Sequence, residues 1–551
     1  MDRGRSAFLL LTVFLSGAAV MVVEMTTVRV LQPTFGSTTY VWTNVIAVVL
    51  AALAAGYAIG GRIADRRGTP GLLYGILAAG GLLVAATVPL ATPVSKWVVP
   101  LDIDLENVSS FLSRGSLVAT LILFAPSTLL LGMVSPIAIK LLADSGAGRA
   151  AGRVFAFSTV GSIVGTYLPT LWLIPEHGSR GTLLVAAAML LAPAVIGLIA
   201  FSGRRGAALA AVAVAAWGAT NAFADTRPNR GAPRLREGGT SVVLDERESA
   251  YQYLTVRDDT YPGERPATER FLTINEGVLT YHSAMVVGSW LTGHRYYDDY
   301  ALLPLLVDVP EGGELRGAVV GLAGGITTRQ WEHFWEGPFR LRVDGAEIDP
   351  DVIELGRRRF GMPGPDSKWL RAYALDGRQM LEAAPREATY HMIVVDAFAQ
   401  ELYIPFHLGT VEFFELCRRR LAPGGVFAMN VGAFAPDSPN LAALENTLAT
   451  AFGGCQRVQQ WWGGNYLLLA RNGAGPADVT RLAPSRIAQR MGARPAVAEW
   501  DQLVRHAEWI PMHTSVVLPD ARKTVLTDDH CPLENLTDRL VAAEEAKLLG
   551  R

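Results

Sequence analysis

The sequence has little cysteine, no excess of charge of either sign, and a first half with few charged residues. Its three cysteines, Cys417, Cys455 and Cys531, are odd in number and widely spaced, so they indicate neither a disulfide framework nor a structural zinc site. Lysine and arginine number 49, against 51 aspartate and glutamate. Proteins that bind nucleic acid normally carry a basic excess or a basic stripe, so this balance argues against a nucleic-acid partner.

Charge divides the chain into two parts. Residues 1–224 hold 14 basic and 8 acidic residues, whereas residues 225–551 hold 35 and 43. Only the second part has the roughly one-quarter charged content of a soluble domain, and one bilayer crossing needs about 20 mostly apolar residues. We therefore predict a polytopic α-helical membrane bundle over 1–224, followed by a globular part. The apolar stretches lie at 7–28, 41–61, 71–95, 117–142, 154–175 and 182–202, with a weaker one at 206–224.

Basic residues concentrate in alternate loops of the predicted bundle. Arg66 and Arg67 follow the second stretch, and Arg204 and Arg205 follow the sixth. The positive-inside rule then places the N-terminus in the cytoplasm. Six crossings leave the globular part in the cytoplasm and seven place it outside, and the weak stretch at 206–224 leaves the number open. We expect a multi-pass protein of the inner (plasma) membrane with a cytoplasmic globular part, a location that the chemistry below favours.

The globular part is predicted to contain three regions after a linker. Residues 225–240 are rich in proline, glycine and arginine and indicate a connector. Alternating apolar residues predict a small β region over 241–315. From about residue 316 strands alternate with helices, which predicts a Rossmann-like α/β domain of the class I methyltransferase type over 316–475. Residues 476–551 are expected to form a C-terminal extension that packs on this domain.

A glycine-rich turn and an acidic residue follow two successive predicted strands. The turn contains Gly321, Gly324 and Gly325, and glycines let a backbone approach a ligand closely and offer it N–H groups. Glu347 ends the next strand, where a carboxylate can accept both hydroxyls of a ribose. We assign Asp349, two residues later, to capping of the helix that follows.

Two more carboxylates complete the predicted site at the carboxyl ends of the strands. Asp376 precedes Gly377, and Asp396 follows the apolar strand at 391–395. A carboxylate in this place can bind an adenine amine or act as a base. The chain lacks a Walker lysine motif and a tight G-x-G-x-x-G, which argues against phosphate transfer and NAD. We therefore predict S-adenosylmethionine or its decarboxylated form as co-substrate. The histidines show no metal-ligand spacing, so no metal is expected.

In their order, these motifs resemble the spermidine synthase family, the polyamine aminopropyltransferases, in the group that is fused to an N-terminal membrane bundle. The resemblance covers about 240–475 well. It implies transfer of an aminopropyl group to an amine such as putrescine, with methylthioadenosine as the leaving group; we also expect a homodimer. The segments that carry it are Tyr251-Gln252, LTINEG (272–277), Tyr297-Asp298-Asp299-Tyr300, GLAGG (321–325), EID (347–349), DGR (376–378), VVDAF (394–398), 404–425 and 526–536.

The resemblance also implies roles for individual residues. Glu347 would hold the ribose, and Asp376 with Gly377 would hold the adenine. Asp396 would be the base that deprotonates the attacking amine, because an ammonium cannot attack until it has lost a proton. Tyr251 and Gln252 would line the substrate cleft.

Two carboxylates that the family uses for amines are missing from this chain. Gly324 stands where the family usually has an aspartate in the glycine-rich turn, and Ala399 stands where it has a second one. Each charge-assisted contact contributes about 1.5–3 kcal/mol, so their loss weakens binding of a dication. Glu276 and Asp299 are predicted to bind the amine in their place, and Asp298 is a further candidate.

Two alternatives stay open besides aminopropyl transfer. Without an aspartate at Gly324, nothing in the turn repels the carboxylate of intact S-adenosylmethionine, which fits a methyltransferase, lyase or cyclase on the same fold. A polyamine transporter or sensor is the alternative of another class, in which Glu24 of the first apolar stretch would act. The retained Asp396 favours an enzyme, because a protein that only binds its ligand has no need of a base there.

Overall fold

A computed structural model describes residues 3–35, 39–98, 108–143, 146–223, 239–262, 267–274, 281–384, 389–398, 403–461, 463–473, 476–482, 485, 497–537 and 540. The chain forms two compact units, of which one contains Met1–Arg230 and Glu246–Tyr253 and the other contains Gly231–Asp245 and Leu254–Arg551. Most of the predicted linker at 225–240 lies outside the described residues, and so does Glu276.

The first unit is built from apolar helices with a buried aliphatic core. They are α1 Arg3–Phe35, α2 Thr39–Arg67, α3 Pro70–Val98, α4 Val108–Leu123, α5 Ala125–Gly132, α6 Val134–Leu142, α7 Ala147–Leu168, α8 Ile174–Phe201 and α9 Gly203–Phe223, with a π-helical turn at Pro169–Leu173 between α7 and α8. The predicted apolar stretches lie along these helices, with 117–142 divided among α4, α5 and α6, so the helical part of the predicted fold is confirmed.

Five segments in the described part of the chain are long and apolar enough to cross a membrane. They are Arg3–Gln32, Val41–Arg67, Pro70–Ser95, Ala125–Leu142 and Ala147–Phe201. The last has 55 residues, which as one continuous helix at 1.5 Å per residue would span about 80 Å, more than twice the thickness of a bilayer core. It is interrupted at Gly178, whose backbone is not helical (φ 67°).

A small antiparallel sheet follows the apolar helices in the chain. Its strands are β1 Thr240–Glu248, β2 Tyr253–Tyr261, β3 Ala267–Ile274 and β4 Ser283–Val286, in the order β1-β2-β3-β4. These strands lie where alternating apolar residues predict a small β region. The short helix α10, Tyr297–Tyr300, follows this sheet.

The larger sheet has eight strands in the order β12-β10-β11-β9-β8-β5-β6-β7. Its elements are β5 Glu314–Val320, α11 Ile326–Trp335, β6 Arg340–Glu347, α12 Pro350–Leu355, β7 Leu370–Ala374, α13 Gly377–Ala383, β8 Tyr390–Val395, α14 Val411–Arg420, β9 Leu421–Gly432, α15 Pro439–Phe452, β10 Cys455–Gln459, β11 Asn465–Arg471, α16 Val497–Met512 and β12 Thr514–Val517.

The topology of this sheet places a ligand crevice. Strands β7, β6, β5, β8 and β9 are parallel, and β11 pairs antiparallel with both β9 and β10. The strand order reverses between β5 and β8, and open α/β sheets bind ligands at the carboxyl ends of the strands at such a switch point. Buried apolar side chains cover both faces of the sheet. The predicted Rossmann-like architecture is confirmed.

Candidate active site

The glycine-rich turn after β5 brings three strand ends together. Gly321 has φ +86°, and a Cβ there would overlap the carbonyl oxygen of Asp396 beyond β8. The N–H groups of Gly321 and Leu322 donate to the carbonyl of Ala346 in β6, at 2.9 and 3.0 Å. Only glycine permits both this conformation and this close approach. Gly325 also has a positive φ, +78°, directly before α11.

Glu347 lies against the same turn. Its Oε2 accepts the N–H of Ala323 at 2.9 Å, and its Oε1 accepts the N–H of Asp349 at 3.3 Å. Ala323 has φ +44°, which is uncommon for a residue with a Cβ. Burial raises the pKa of Glu347 to about 7. Asp349 caps α12 by accepting the N–H of Asp351 at 3.0 Å, so its predicted capping role is confirmed.

Asp396 follows β8 at the switch point and is bonded to a side-chain amide. Its Oδ1 accepts a hydrogen bond from Nδ2 of Asn430 at 3.1 Å. Nδ2 of Asn465 donates to Oδ1 of Asn430 at 2.9 Å and so fixes the orientation of that amide. Burial raises the pKa of Asp396 to about 7, a value suited to a general base at neutral pH.

Three tyrosines lie close enough to Asp396 to feel its charge, a feature that the sequence analysis missed. Tyr296 donates to the hydroxyl of Tyr297 at 2.9 Å, and Tyr297 donates to the carbonyl of His282 at 3.2 Å. Burial, and then the negative charge of Asp396, raise the pKa of Tyr296, Tyr297 and Tyr300. The sequence did contain a signal for this cluster, because the three tyrosines lie within five residues of one another.

Asp376 has a structural function that the sequence analysis did not weigh. It caps α13, with Oδ1 accepting the N–H groups of Arg378 and Gln379 at 2.9 and 3.1 Å. Its Oδ2 lies 2.8 Å from Nε2 of His407, and this bond is the main cause of its lowered pKa. Gly377 packs against β5, where an added Cβ would overlap a side chain. The adenine-binding role of this pair stays a prediction.

Gly324 stands where the family usually has an aspartate, and neighbouring side chains fill the space beside it. A Cβ on Gly324 would lie 2.8 Å from Oγ of Ser283 and 3.0 Å from Cγ of Phe360. The N–H of Gly324 donates to Oγ of Ser283 at 2.7 Å. Because serine and phenylalanine occupy this volume, an aspartate would require them to move.

Asp299, a predicted ligand of the amine, is engaged inside the protein. It is 2% exposed, and its Oδ1 lies 2.6 Å from Nδ1 of His506. Tyr251 and Gln252 lie in the turn between β1 and β2, where Tyr251 is 46% exposed, and Glu276 is not among the described residues. Binding of the amine by these four residues stays a prediction.

The fold and the placement of the acidic residues define a Rossmann-like domain of the methyltransferase type. No protein-family model matches the chain. A probable polyamine aminopropyl transferase of Bifidobacterium longum is 26% identical over 308 residues, which are 54% of this chain and 64% of that protein. A polyamine aminopropyltransferase of Nitrosomonas europaea is 27% identical over 39% of this chain and 60% of its own length. The chain thus spans less than two thirds of either relative.

Solved structures show the same kind of similarity. A probable spermidine synthase of Corynebacterium glutamicum is 20% identical, with a TM-score of 0.35 over 49% of this chain and 95% of that chain. Spermidine synthase of Thermotoga maritima is 14% identical, with a TM-score of 0.36 over 51% of this chain and 98% of that chain. The curated relatives confirm the resemblance to the spermidine synthase family that the motifs indicated.

Proposed function

We propose that this chain is a membrane-bound aminopropyltransferase that uses decarboxylated S-adenosylmethionine. The observation that carries the proposal is Asp396, a half-buried carboxylate at the switch point whose pKa is raised to about 7. It lies beside the glycine-rich turn, whose Gly321 approaches its backbone closely. The similarity to polyamine aminopropyltransferases supports the same reaction class.

The proposed reaction is a single displacement. The lone pair of the amine attacks the aminopropyl carbon that is bonded to sulfur, a C–N bond forms, and the C–S bond breaks. The bonding electrons go to sulfur, which leaves as the neutral thioether of methylthioadenosine. Asp396 takes the proton that the amine must lose, and the amide of Asn430 holds its carboxylate in place. The rate gain comes mainly from alignment of the two reactants.

Glu347 and the α13 N-terminus are the proposed nucleoside contacts. The carboxylate of Glu347 is held at the glycine-rich turn by backbone N–H groups, and its oxygens have further lone pairs that can accept ribose hydroxyls. We assign the adenine to Asp376 and Gly377, with Asp376 held in place by its capping bonds.

We propose an amine as acceptor, with a preference for a single ammonium group over a diamine such as putrescine. Asp299 pairs with His506. Asp298 is fully buried and accepts hydrogen bonds from Thr292, Gln330 and Gln502. Neither carboxylate is thus open to a second ammonium group.

One observation favours a second candidate, the use of intact S-adenosylmethionine by a methyltransferase, lyase or cyclase. Gly324 carries no carboxylate, and Ser283 and Phe360 fill the volume beside it. The turn therefore offers no negative charge that would repel the carboxylate of intact S-adenosylmethionine or recognise the free amine of the decarboxylated form.

Product analysis distinguishes these reactions. Detergent-purified full-length protein would be incubated with either form of the co-substrate, with and without putrescine or butylamine, and the nucleoside identified by mass spectrometry. We expect methylthioadenosine only from the decarboxylated form together with an amine. Methylthioadenosine from intact S-adenosylmethionine without amine would mean a lyase or cyclase, and S-adenosylhomocysteine would mean methyl transfer. No nucleoside product from either form would contradict the enzyme proposal and direct the search to transport or sensing.

We propose six membrane crossings, with the catalytic domain in the cytoplasm. Four crossings would come from α1, α2, α3 and the apolar run that ends at Leu142, and the 55-residue run Ala147–Phe201 is long enough for two more. Helix α9 is not among the five described segments that are long and apolar enough to cross a membrane. A reporter fused after residue 224 tests this: cytoplasmic fluorescence without periplasmic phosphatase activity is expected, and the reverse would mean seven crossings. The homodimer stays a prediction.

A further inference from the structure

Three segments that carry the family resemblance meet at the guanidinium of Arg378, although they are far apart in the sequence. Nη1 and Nη2 of Arg378 donate to the two carboxylate oxygens of Asp528 at 2.7 and 2.6 Å, across 150 residues of chain. Nη1 also donates to the carbonyl of His407 at 3.1 Å. The turn before α13, the segment 404–425 and the C-terminal segment 526–536 are thereby joined through one side chain.

The turn that carries His407 is also bonded to the C-terminal segment directly. The hydroxyl of Thr410 donates to Oδ1 of Asp528 at 2.7 Å, and the backbone N–H of Val411 donates to the carbonyl of Leu526 at 2.8 Å. A two-pronged contact between arginine and a carboxylate fixes geometry as well as adding energy. The turn is therefore held at His407 itself and again three to four residues later in the chain.

The imidazole of His407 bonds to the carboxylate of Asp376. Its Nε2 lies 2.8 Å from Oδ2 of Asp376, while Oδ1 already accepts the backbone N–H groups of Arg378 and Gln379. A carboxylate can accept about four hydrogen bonds, two on each oxygen. Among the residues that the structure describes, these bonds leave one acceptor position of Asp376 open, on Oδ2 beside the imidazole. His407 thus fixes the direction in which that position faces.

The open position on Oδ2 has a definite chemical preference. An ionised carboxylate only accepts hydrogen bonds, and the bond from His407 helps to keep Asp376 ionised by lowering its pKa. The 6-amino group of adenine is a donor and can bond there, whereas the 6-oxo group of hypoxanthine is an acceptor and cannot. The side chains of His407 and Asp376 are 34% and 22% exposed, so a ligand can reach both.

We propose that His407 is a positioning residue that determines base specificity, because it orients the carboxylate of Asp376 to accept the amino group of adenine and to reject a 6-oxopurine. The proposal rests on the proposed function, in which Asp376 binds the adenine. Arg378 and Asp528 act through His407 by holding its turn in place. The C-terminal segment 526–536 thereby contributes to selection of the nucleoside.

The test measures binding of methylthioadenosine and methylthioinosine to the full-length protein by isothermal titration calorimetry. The second nucleoside carries the 6-oxo group in place of the 6-amino group, and the quantity compared between variants is the ratio of the two dissociation constants. We expect the wild-type protein to favour methylthioadenosine about 10-fold or more, the size of one charge-assisted hydrogen bond. In His407→Ala this preference should fall about 5-fold or more, because the carboxylate is no longer held in one orientation.

Two further variants separate positioning from a general loss of structure. His391→Ala is the matched control, because His391 lies near the amino end of β8, at the opposite end of that strand from Asp396, and its Nδ1 accepts the backbone N–H of Arg316 at 3.0 Å. This variant also loses one hydrogen bond of an imidazole, and we expect it to keep the wild-type ratio. His407→Gln keeps an N–H donor for Asp376 and should restore most of the preference.

Each result also distinguishes the proposal from the proposed function. An unchanged ratio in His407→Ala, tighter binding of methylthioadenosine by that variant, or equal binding of both nucleosides by the wild-type protein would overturn the proposal and leave the nucleoside site in place. A wild-type protein that binds neither nucleoside would contradict the adenine assignment itself, and the proposal with it. If His407→Ala does not fold, Asp528→Asn serves instead, since it removes the ion pair with Arg378; it should lower the ratio about 3-fold or more, and a wild-type ratio would overturn the proposal.

Discussion

Replacing Asp396 by asparagine should abolish most of the activity and stabilise the fold. Asparagine has the same shape and can still accept from Asn430, but it cannot take a proton. Loss of a general base typically costs about 10²- to 10⁴-fold in rate. We therefore expect kcat/KM to fall by at least 100-fold, with little change in the affinity for the nucleoside donor.

The stability gain follows from the raised pKa of Asp396. The folded protein holds this proton up to about pH 7, whereas the unfolded chain releases it near its ordinary value of 3.8. Folding stability attributable to this group therefore falls as pH rises from about 4 to 7. The difference corresponds to at most about 4 kcal/mol above pH 7, and asparagine removes this cost.

The assay is thermal unfolding of full-length wild-type and Asp396→Asn protein, followed by intrinsic tryptophan fluorescence. At pH 8 we expect a rise in Tm of about 4 °C or more, if half of that free energy is recovered. At pH 4 the two proteins should unfold within about 1 °C of each other, since Asp396 is protonated in both states. Equal Tm values at pH 8, or activity above one tenth of wild type, would refute the reasoning about a buried base.

Three further substitutions test the site. Glu347→Gln should raise the KM for the nucleoside donor about 10-fold or more with a smaller change in kcat, because a ribose contact is bound in both ground and transition states; an unchanged KM would remove the ribose assignment. Gly377→Ala should destabilise the fold by about 1–3 kcal/mol, since its Cβ would overlap Cγ1 of Val320, while Gly364→Ala, with open space around it, should not change Tm. Asp376→Ala should cost about 0.5–2 kcal/mol through loss of the α13 cap, and a kinetic defect without a loss in Tm would show that its nucleoside role outweighs its capping role.

The sequence was sufficient for the fold because the signals were long and local. Apolar runs of about 20 residues marked the helices of the first unit, and alternation of strands and helices marked the larger sheet. Gly321, Glu347 and Asp396 could be located because each follows a strand, and parallel strands bring such residues to one edge of the sheet. The structure places all three together.

What the sequence could not provide were contacts between distant segments and competing roles for one side chain. His506 lies 207 residues from Asp299, and no spacing or motif links them. The carboxylate of Asp376 follows a strand as that of Asp396 does, but Gly377–Ala383 form a helix, and Asp376 caps it. The sequence also could not show how much space surrounds Gly324. Only the structure shows that Ser283 and Phe360 fill it.

The most direct test of aminopropyl transfer is detection of the new C–N bond. Full-length protein would be incubated with decarboxylated S-adenosylmethionine deuterated in its aminopropyl group and with a ¹⁵N-labelled amine, and Asp396→Asn would serve as the control. The account predicts one product that contains both the deuterated aminopropyl group and the ¹⁵N, formed in equal amount with methylthioadenosine and nearly absent from the control. Methylthioadenosine without that doubly labelled product, or equal product from the control, would contradict it.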